Sequence, residues 1–241
     1  MLYQQPNEKC AATREPVVKK YITILAVSLI CHNLAAEDIA QHFQTVDTLI
    51  TYVKQANPTD IICDTNEIIV GVHLPLDCCT DSNLRLLGKI KSIRYLLICG
   101  HFTSTISTNG ILALAEYPNL TGLCLVCCGA PSKHLVSALP CLTNLQSLEL
   151  EQDTYRTNDA IYLAKMTNLV SLAIGGFIPQ TQSELLTLTN LVNLQRLLIF
   201  GSDEAIKRVD GNIFSKFNKL TAFVIASDLD LWEKARWKMP P

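Results

Sequence analysis

One short pattern recurs six times in this chain and constrains its fold more than any other feature. Each copy follows Leu-x-x-Leu-x-Leu, with Ile or Phe at some positions, and the copies begin at Ile93, Leu120, Leu145, Leu169, Leu194 and Leu220. Successive copies start 24 to 27 residues apart. A period of about 20 to 29 residues suits units of one strand and one short helix, and is shorter than the roughly 33 to 34 residues of helix-pair repeats. We therefore predict a stack of strand-and-helix units, each burying its apolar face against its neighbours.

The segments between the copies carry a second apolar pattern. Apolar residues stand three and six positions before each copy, a spacing that puts both on one face of a short helix. The two sets are Ile90, Tyr117, Leu142, Met166, Leu191 and Phe217, and Leu87, Leu114, Leu139, Leu163, Leu188 and Phe214. Asn directly precedes four copies, where we expect it to tolerate the left-handed turn that ends a helix; these residues are Asn119, Asn144, Asn168 and Asn193.

These units resemble leucine-rich repeats. The phrases Leu142-Thr-Asn-Leu145 and Met166-Thr-Asn-Leu169 are most similar to bacterial repeats of the internalin type, and the resemblance covers residues 69–228. It departs from the family at the ninth position of the unit, where only Cys128 has a residue type that the family uses. The resemblance implies an α/β solenoid that binds proteins, with parallel strands on the concave face and short helices on the convex face. It also implies a bacterial effector acting in a host cell as one role.

The N-terminal part of the chain lacks the complete repeat pattern. Residues 1–66 are predicted to form a β-α-β cap, with a strand near residues 22–27, a helix over residues 35–56 and a strand at Ile61 to Cys63. An alternative places two degenerate repeats at Ile22 and Val46, since 24 and 23 residues separate positions 22, 46 and 69.

About seven repeats of 24–27 residues are predicted over residues 67–228. Residues 229–241 are predicted to form a helical cap, because the end of a solenoid otherwise presents apolar surface to water. Its apolar residues are Leu229, Leu231, Trp232, Ala235 and Trp237.

Charge and cysteine content restrict the partners and the compartment. The chain has 20 Lys and Arg against 22 Asp and Glu and no cationic block, so we expect no nucleic acid partner. The apolar run Tyr21 to Cys31 is too short to span a bilayer, and we predict a buried strand rather than a signal sequence or membrane insertion. The ten cysteines, many of them in or beside apolar segments, favour reduced thiols in a cytoplasm, either bacterial or, for an effector, of the host cell. The single Cys124-x-x-Cys127 predicts neither a metal nor a redox cofactor.

The concave face is the predicted binding surface. Positions 3, 5 and 7 of each strand face that side, and they are mostly small and apolar, with one acidic row. Because a solvated face is expected to be polar, the apolar surplus indicates an interaction surface. We predict another protein as partner, contacting Tyr95, Leu97, Cys99, Val126, Glu149, Glu151, Arg196, Leu198 and Phe200. Small residues would leave room for a helix of that partner; they are Gly122, Ser171, Ala173 and Gly175. Alternatively, the N-terminal segment or a second copy of the chain covers the face, the latter giving a homodimer.

We predict no enzymatic activity and no catalytic residues. A Cys-dependent hydrolase is one alternative, because equivalent positions of successive repeats hold His101, Cys128 and Asp153, although that column normally points into the loop interior. Another alternative is a substrate-recruiting subunit of a ubiquitin ligase, docked through residues 1–60. Cys79-Thr-Asp81 matches a short motif of bacterial repeat-bearing ligases, which place it in a separate catalytic domain for which this chain has no length.

Overall fold

Eight strands form one sheet and follow one another in chain order. They are β1 (Ile61–Cys63), β2 (Ile69–Leu74), β3 (Tyr95–Cys99), β4 (Gly122–Val126), β5 (Ser147–Glu151), β6 (Ser171–Ile174), β7 (Arg196–Phe200) and β8 (Ala222–Ala226). β1 pairs antiparallel with β2, and all later pairs are parallel. The computed structural model describes residues 43–57, 60–75, 78–99, 106–126, 135–151, 158–175, 182–201, 203, 207 and 209–226.

The strand register confirms the repeat alignment. Tyr95 pairs with Gly122, Gly122 with Ser147, and so on along the sheet, so that equivalent positions of the repeats are direct neighbours. The side chains at strand positions 4 and 6 point into the core, and from β2 to β7 each of them is at most 3% exposed. Since each fully buried Leu or Ile contributes roughly 1.5 to 3 kcal/mol, these two columns are a major source of stability. The structure is an α/β leucine-rich repeat solenoid.

The connections between strands contain short helices. The α-helices are α1 (Val46–Ala56), α2 (Asp81–Leu87), α3 (Thr108–Ala113), α4 (Ala160–Leu163) and α5 (Gln182–Leu188), and the 3-10 helices are Leu114–Glu116, Leu135–Cys141 and Gly211–Lys216. Thr80 begins α2 by accepting a hydrogen bond from Asn83 N at 3.1 Å. Pro140 lies within the Leu135–Cys141 helix and supplies no N–H there. None of the described helices combines the length and the apolar character that crossing a membrane requires.

The four Asn residues before the strands have a different role from the predicted one. Within the described residues, Glu67 and Asn158 are the only non-glycine residues with a positive φ, so the four Asn do not adopt the left-handed conformation. Each side-chain amide instead donates to a backbone carbonyl of the preceding repeat, as in Asn144 Nδ2 to Pro118 O at 3.1 Å and Asn168 Nδ2 to Thr143 O at 2.6 Å. Asn119 and Asn193 do the same. We call this row of four side chains the asparagine ladder, and it links adjacent repeats.

Tyr117 is an aromatic exception in one of the predicted helix columns. Its hydroxyl donates to the carbonyl of Leu84 in the neighbouring repeat, and its ring fills the space beside Gly88, where a Cβ would lie 2.9 Å from it. Burial, and secondarily the charge of Glu116, raises the pKa of Tyr117 far above its usual value. The hydroxyl therefore stays protonated and acts as a structural donor.

The predicted helix over residues 35–56 is shorter at its start. Thr45 caps the helix by accepting from Thr48 N at 3.2 Å, so α1 begins at Val46, and Phe43 precedes it. Residues 35–42 lie outside the described residues, as do the predicted strand near residues 22–27 and the predicted cap over residues 229–241. The alternative of a degenerate repeat strand at Val46 is wrong, because that residue lies in α1. The predicted strand at Ile61 to Cys63 is confirmed.

Candidate protein-binding face

The predicted positions form continuous rows on the concave face. The position 3 row runs through Gly71, Tyr95, Gly122, Ser147, Ser171, Arg196 and Ala222, and the position 5 row runs through His73, Leu97, Cys124, Glu149, Ala173, Leu198 and Val224. Neighbours within a row are about 4.8 Å apart, the spacing of hydrogen-bonded strands. Tyr95 and Arg196 therefore share one row, with three repeats between them.

The position 5 row is buried along most of its length. Leu97 and Leu198 are 4% and 3% exposed, and Glu149 is 7% exposed between Cys124 and Ala173. The apolar side chains form two small clusters separate from the main core; one contains Leu97, Cys124 and Val126, and the other contains Ala173 and Leu198 with Phe200 and Val224 packed against it. The buried row behaves as a second, smaller core on the concave side of the sheet.

Three of the predicted contact residues retain partial exposure. Tyr95, Arg196 and Phe200 are half-buried, and Phe200 packs on the cluster of Ala173 and Leu198. Leu97, Val126, Glu149 and Leu198 are buried. The side chains of Cys99 and Glu151 lie outside what the structure describes. Of the predicted contact residues with described side chains, a partner could therefore reach Tyr95 on β3, and Arg196 and Phe200 on β7.

The chain has a distant similarity to a solved structure and matches no family model. No curated protein matches it. One solved structure with a similarity is internalin C2 from Listeria monocytogenes strain 4b F2365, at 21% sequence identity and a TM-score of 0.36. The match covers 59% of this chain and 55% of that chain, so it spans little more than half of either. The assignment of the fold rests on the repeat spacing and the strand register.

A polar pair that the sequence did not reveal lies at the N-terminal end of the position 5 row. His73 Nδ1 and Asp60 Oδ1 are 3.0 Å apart, and both side chains are largely buried. Asp60 reaches His73 because β1 folds back antiparallel on β2, with Ile61 opposite Val72. The sequence signal that could have revealed this pair is the turn between the two strands, because Asp and Asn favour turns. In the structure the Asp64 side chain accepts from Asn66 N and Ile68 N.

The residues behind the enzyme alternatives have structural surroundings where the structure describes them. Cys79 is buried, and its thiol donates to Pro75 O at 3.3 Å. Asp81 accepts from Ser107 N and Ser107 Oγ, at 2.8 and 2.5 Å, and so joins α2 to the start of α3. The remaining residues of these alternatives lie outside the described residues; they are His101, Cys128 and Asp153.

Five cysteines have described thiols, and none of these five forms a disulfide. Cys78, Cys79 and Cys124 are buried, Cys141 is half-buried and Cys63 is exposed. Burial raises the pKa of the Cys141 thiol, which keeps it protonated. Among the residues that the structure describes, no three His, Cys, Asp or Glu side chains come together as a metal site requires.

Proposed function

We propose that this chain is a non-enzymatic protein-binding module whose partner contacts the concave face. The observation that carries the proposal is the partial exposure of Tyr95, Arg196 and Phe200 on a face whose central row is buried. Aromatic and Arg side chains are the residue types that most often dominate the energy of protein interfaces.

The buried row supports this role by holding the contact residues in place. Phe200 packs on Leu198 and Ala173, whose strands are fixed in the sheet, so its ring loses little further freedom on binding. Arg196 is the charged residue of this contact surface, and it would favour a partner that places an acidic group opposite it. We infer that Tyr95 forms a second contact point.

The finer part of the proposal concerns the partner. The internalin-like phrases of the repeats support a bacterial effector that acts in a host cytoplasm, with a host protein as its partner. Cys79 and Asp81 are engaged in contacts that connect neighbouring segments, which supports a structural role for these two residues.

The test replaces the half-buried aromatic residues and measures recovery of bound proteins from host-cell lysate. Tyr95→Ala and Phe200→Ala together should lower the recovery of specific partners by about thirtyfold, the effect of losing roughly 2 kcal/mol of binding energy. The matched control is Leu112→Ala with Ile161→Ala, which truncates two exposed apolar residues on the helices. We expect the control to recover the same partners as the wild type.

Two results would contradict the proposal. Partner recovery that is unchanged by the concave substitutions would remove the concave face as the binding surface. Equal losses in the concave and control variants would indicate non-specific adsorption to apolar surface. Circular dichroism of each variant separates these results from unfolding.

A further inference from the structure

The last strand breaks the regular burial of the core. At strand position 4, the side chains from β2 to β7 are at most 3% exposed, but Phe223 in β8 is 52% exposed. Its ring stacks on Phe214, with centroids 4.3 Å apart, and Phe214 in turn lies beside Phe217 at 6.4 Å. The last repeat therefore ends in an aromatic wall, one face of which is open to solvent.

The backbone of β8 is open on the same side. Within the described residues, β8 pairs with β7 only. Ala222 N donates to Gln195 O at 3.0 Å, which turns the backbone groups of Ala222 toward β7. Because successive residues of a strand alternate in direction, Phe223 and Ile225 direct their N–H and C=O groups to the open edge.

The open edge lacks the features that normally prevent strand pairing. Natural edge strands carry Lys, Pro, bulges or inward-pointing charges. The segment from Leu220 to Ser227 contains no charged residue, no Pro and no Gly. β1, at the other edge of the sheet, has only three residues and is antiparallel to its neighbour. The two edges are therefore unequal as sites for a further strand.

We propose that β8 pairs antiparallel with β8 of a second copy of this chain, with the two-fold axis at Val224. In this register Phe223 lies opposite Ile225 of the second copy, and these are the two residues whose backbone groups face the edge. Each such pair exchanges two hydrogen bonds and brings two apolar side chains together on the core side. Val224 lies opposite its own counterpart on the concave side.

The second copy is favoured over other occupants because β8 is complementary to itself. The two-fold axis pairs each outward-facing residue with another outward-facing residue, and it opposes only uncharged side chains. The two aromatic walls also meet, which covers Phe223. The resulting homodimer uses the edge of the sheet and leaves the concave face to a different partner.

The test exploits the position of Val224 on the axis, using the full chain and sedimentation equilibrium. Wild type should dimerise. Val224→Lys and Val224→Glu each put like charges opposite one another and should weaken dimerisation by at least about fivefold. Mixing the two variants puts Lys opposite Glu, and a heterodimer should form. Val224→Thr is the uncharged control and should dimerise like the wild type.

Three outcomes overturn the proposal. The first is a wild type that stays monomeric, which would leave the edge open or covered by a segment of its own chain. The second is dimerisation that substitutions at Val224 do not change, which places the second copy on another surface. The third is two folded variants that fail to associate when mixed, since the rescue depends only on a pair of residues meeting at the axis.

Discussion

The apolar core is covered at the N-terminal end of the solenoid and partly exposed at the C-terminal end. At the N-terminal end, α1 contributes Leu49 and Val53 to the core that contains Val72, and all three are fully buried. At the C-terminal end, the core-facing Phe223 is half exposed, and no described element packs beyond it. The strand pattern is shared by both ends, so the difference lies in the flanking elements and in the apolar residues of the last repeat.

This contrast shows that interior and terminal repeats differ in how their apolar faces are covered. An interior repeat is satisfied by its two neighbours, but a terminal repeat needs a different element to cover its outer face. The N-terminal end uses a helix, a short antiparallel strand and the pair of Asp60 with His73. The last repeat instead has Phe in three of the apolar columns, at Phe214, Phe217 and Phe223. Those rings enlarge the apolar surface that a second copy can cover.

The largest expected effect distinguishes the two ends by truncating one core residue at each. Leu49→Ala should lower the free energy of unfolding by about 3 kcal/mol, because it leaves a cavity in the closed core. Phe223→Ala should cost less in the monomer, about 1 kcal/mol, because half of that ring already faces water. Urea unfolding at low protein concentration measures both. Equal losses would mean that the two ends are equally covered.

The second effect concerns the polar pair at the N-terminal end. Asp60→Ala leaves the Nδ1 of His73 without this partner in a largely buried site and should cost about 2 kcal/mol. Asp60→Asn is the control, since its side-chain oxygen still accepts from an Nδ1–H, and it should cost about half as much. If Asp60→Ala were as stable as the wild type, the pair would not contribute to closing this end.

A smaller effect is expected from Tyr117→Phe, which gives this interior repeat the same aromatic residue type that Phe217 provides in the same column at the open end. The substitution removes the hydrogen bond to the carbonyl of Leu84 and should lower the free energy of unfolding by only about 1 kcal/mol. The loss is small because that carbonyl still accepts from the Gly88 N–H.

The pKa of Tyr117 also predicts a pH dependence. Since folding raises that pKa above 10, the unfolded chain loses the phenol proton first as the pH rises. The contribution of Tyr117 to stability should be constant below about pH 10 and fall above it by up to about 1.4 kcal/mol per pH unit. Thermal unfolding of the wild type and Tyr117→Phe, measured across this range, should show the smaller alkaline loss in the variant. An identical alkaline loss in both would contradict the assignment.

The smallest effect is expected from a substitution that extends the asparagine ladder to the last repeat. Lys219 occupies the ladder position of the last repeat, and its Nζ donates to Asn193 Oδ1 at 2.7 Å. Lys219→Asn should instead donate to the carbonyl of Val192 and raise stability by about 0.5 kcal/mol. Asn144→Ala is the matched loss in an interior repeat and should lower stability by a similar amount. A destabilised Lys219→Asn would show that the last repeat does not accept the interior geometry.

The sequence was sufficient for the repeats because apolar spacing alone sets their register. A residue at strand position 4 or 6 has no alternative to the core, so aligned Leu columns predict aligned strands. The contact with Asp60 could not be predicted in the same way, because it depends on the turn between β1 and β2 rather than on any periodicity.

The candidate binding face was predictable in position but not in exposure. The register places Tyr95, Glu149 and Leu198 in the predicted rows, whereas the burial of Glu149 and Leu198 depends on packing that alternation does not encode. The role of the asparagine ladder was missed because Asn suits both a left-handed turn and a side-chain donor. Only the φ angles and the amide contacts decide between the two.

Hydrogen–deuterium exchange at low and high protein concentration tests the difference between the two ends most directly. We expect the amides of Phe223 and Ile225 to exchange quickly when the protein is dilute and to become protected as its concentration rises. The amides of β1 and β2 should show no such dependence. Concentration-dependent protection at β1, or β8 amides that exchange at the same rate at every concentration, would contradict a closed N-terminal end and a self-pairing C-terminal edge.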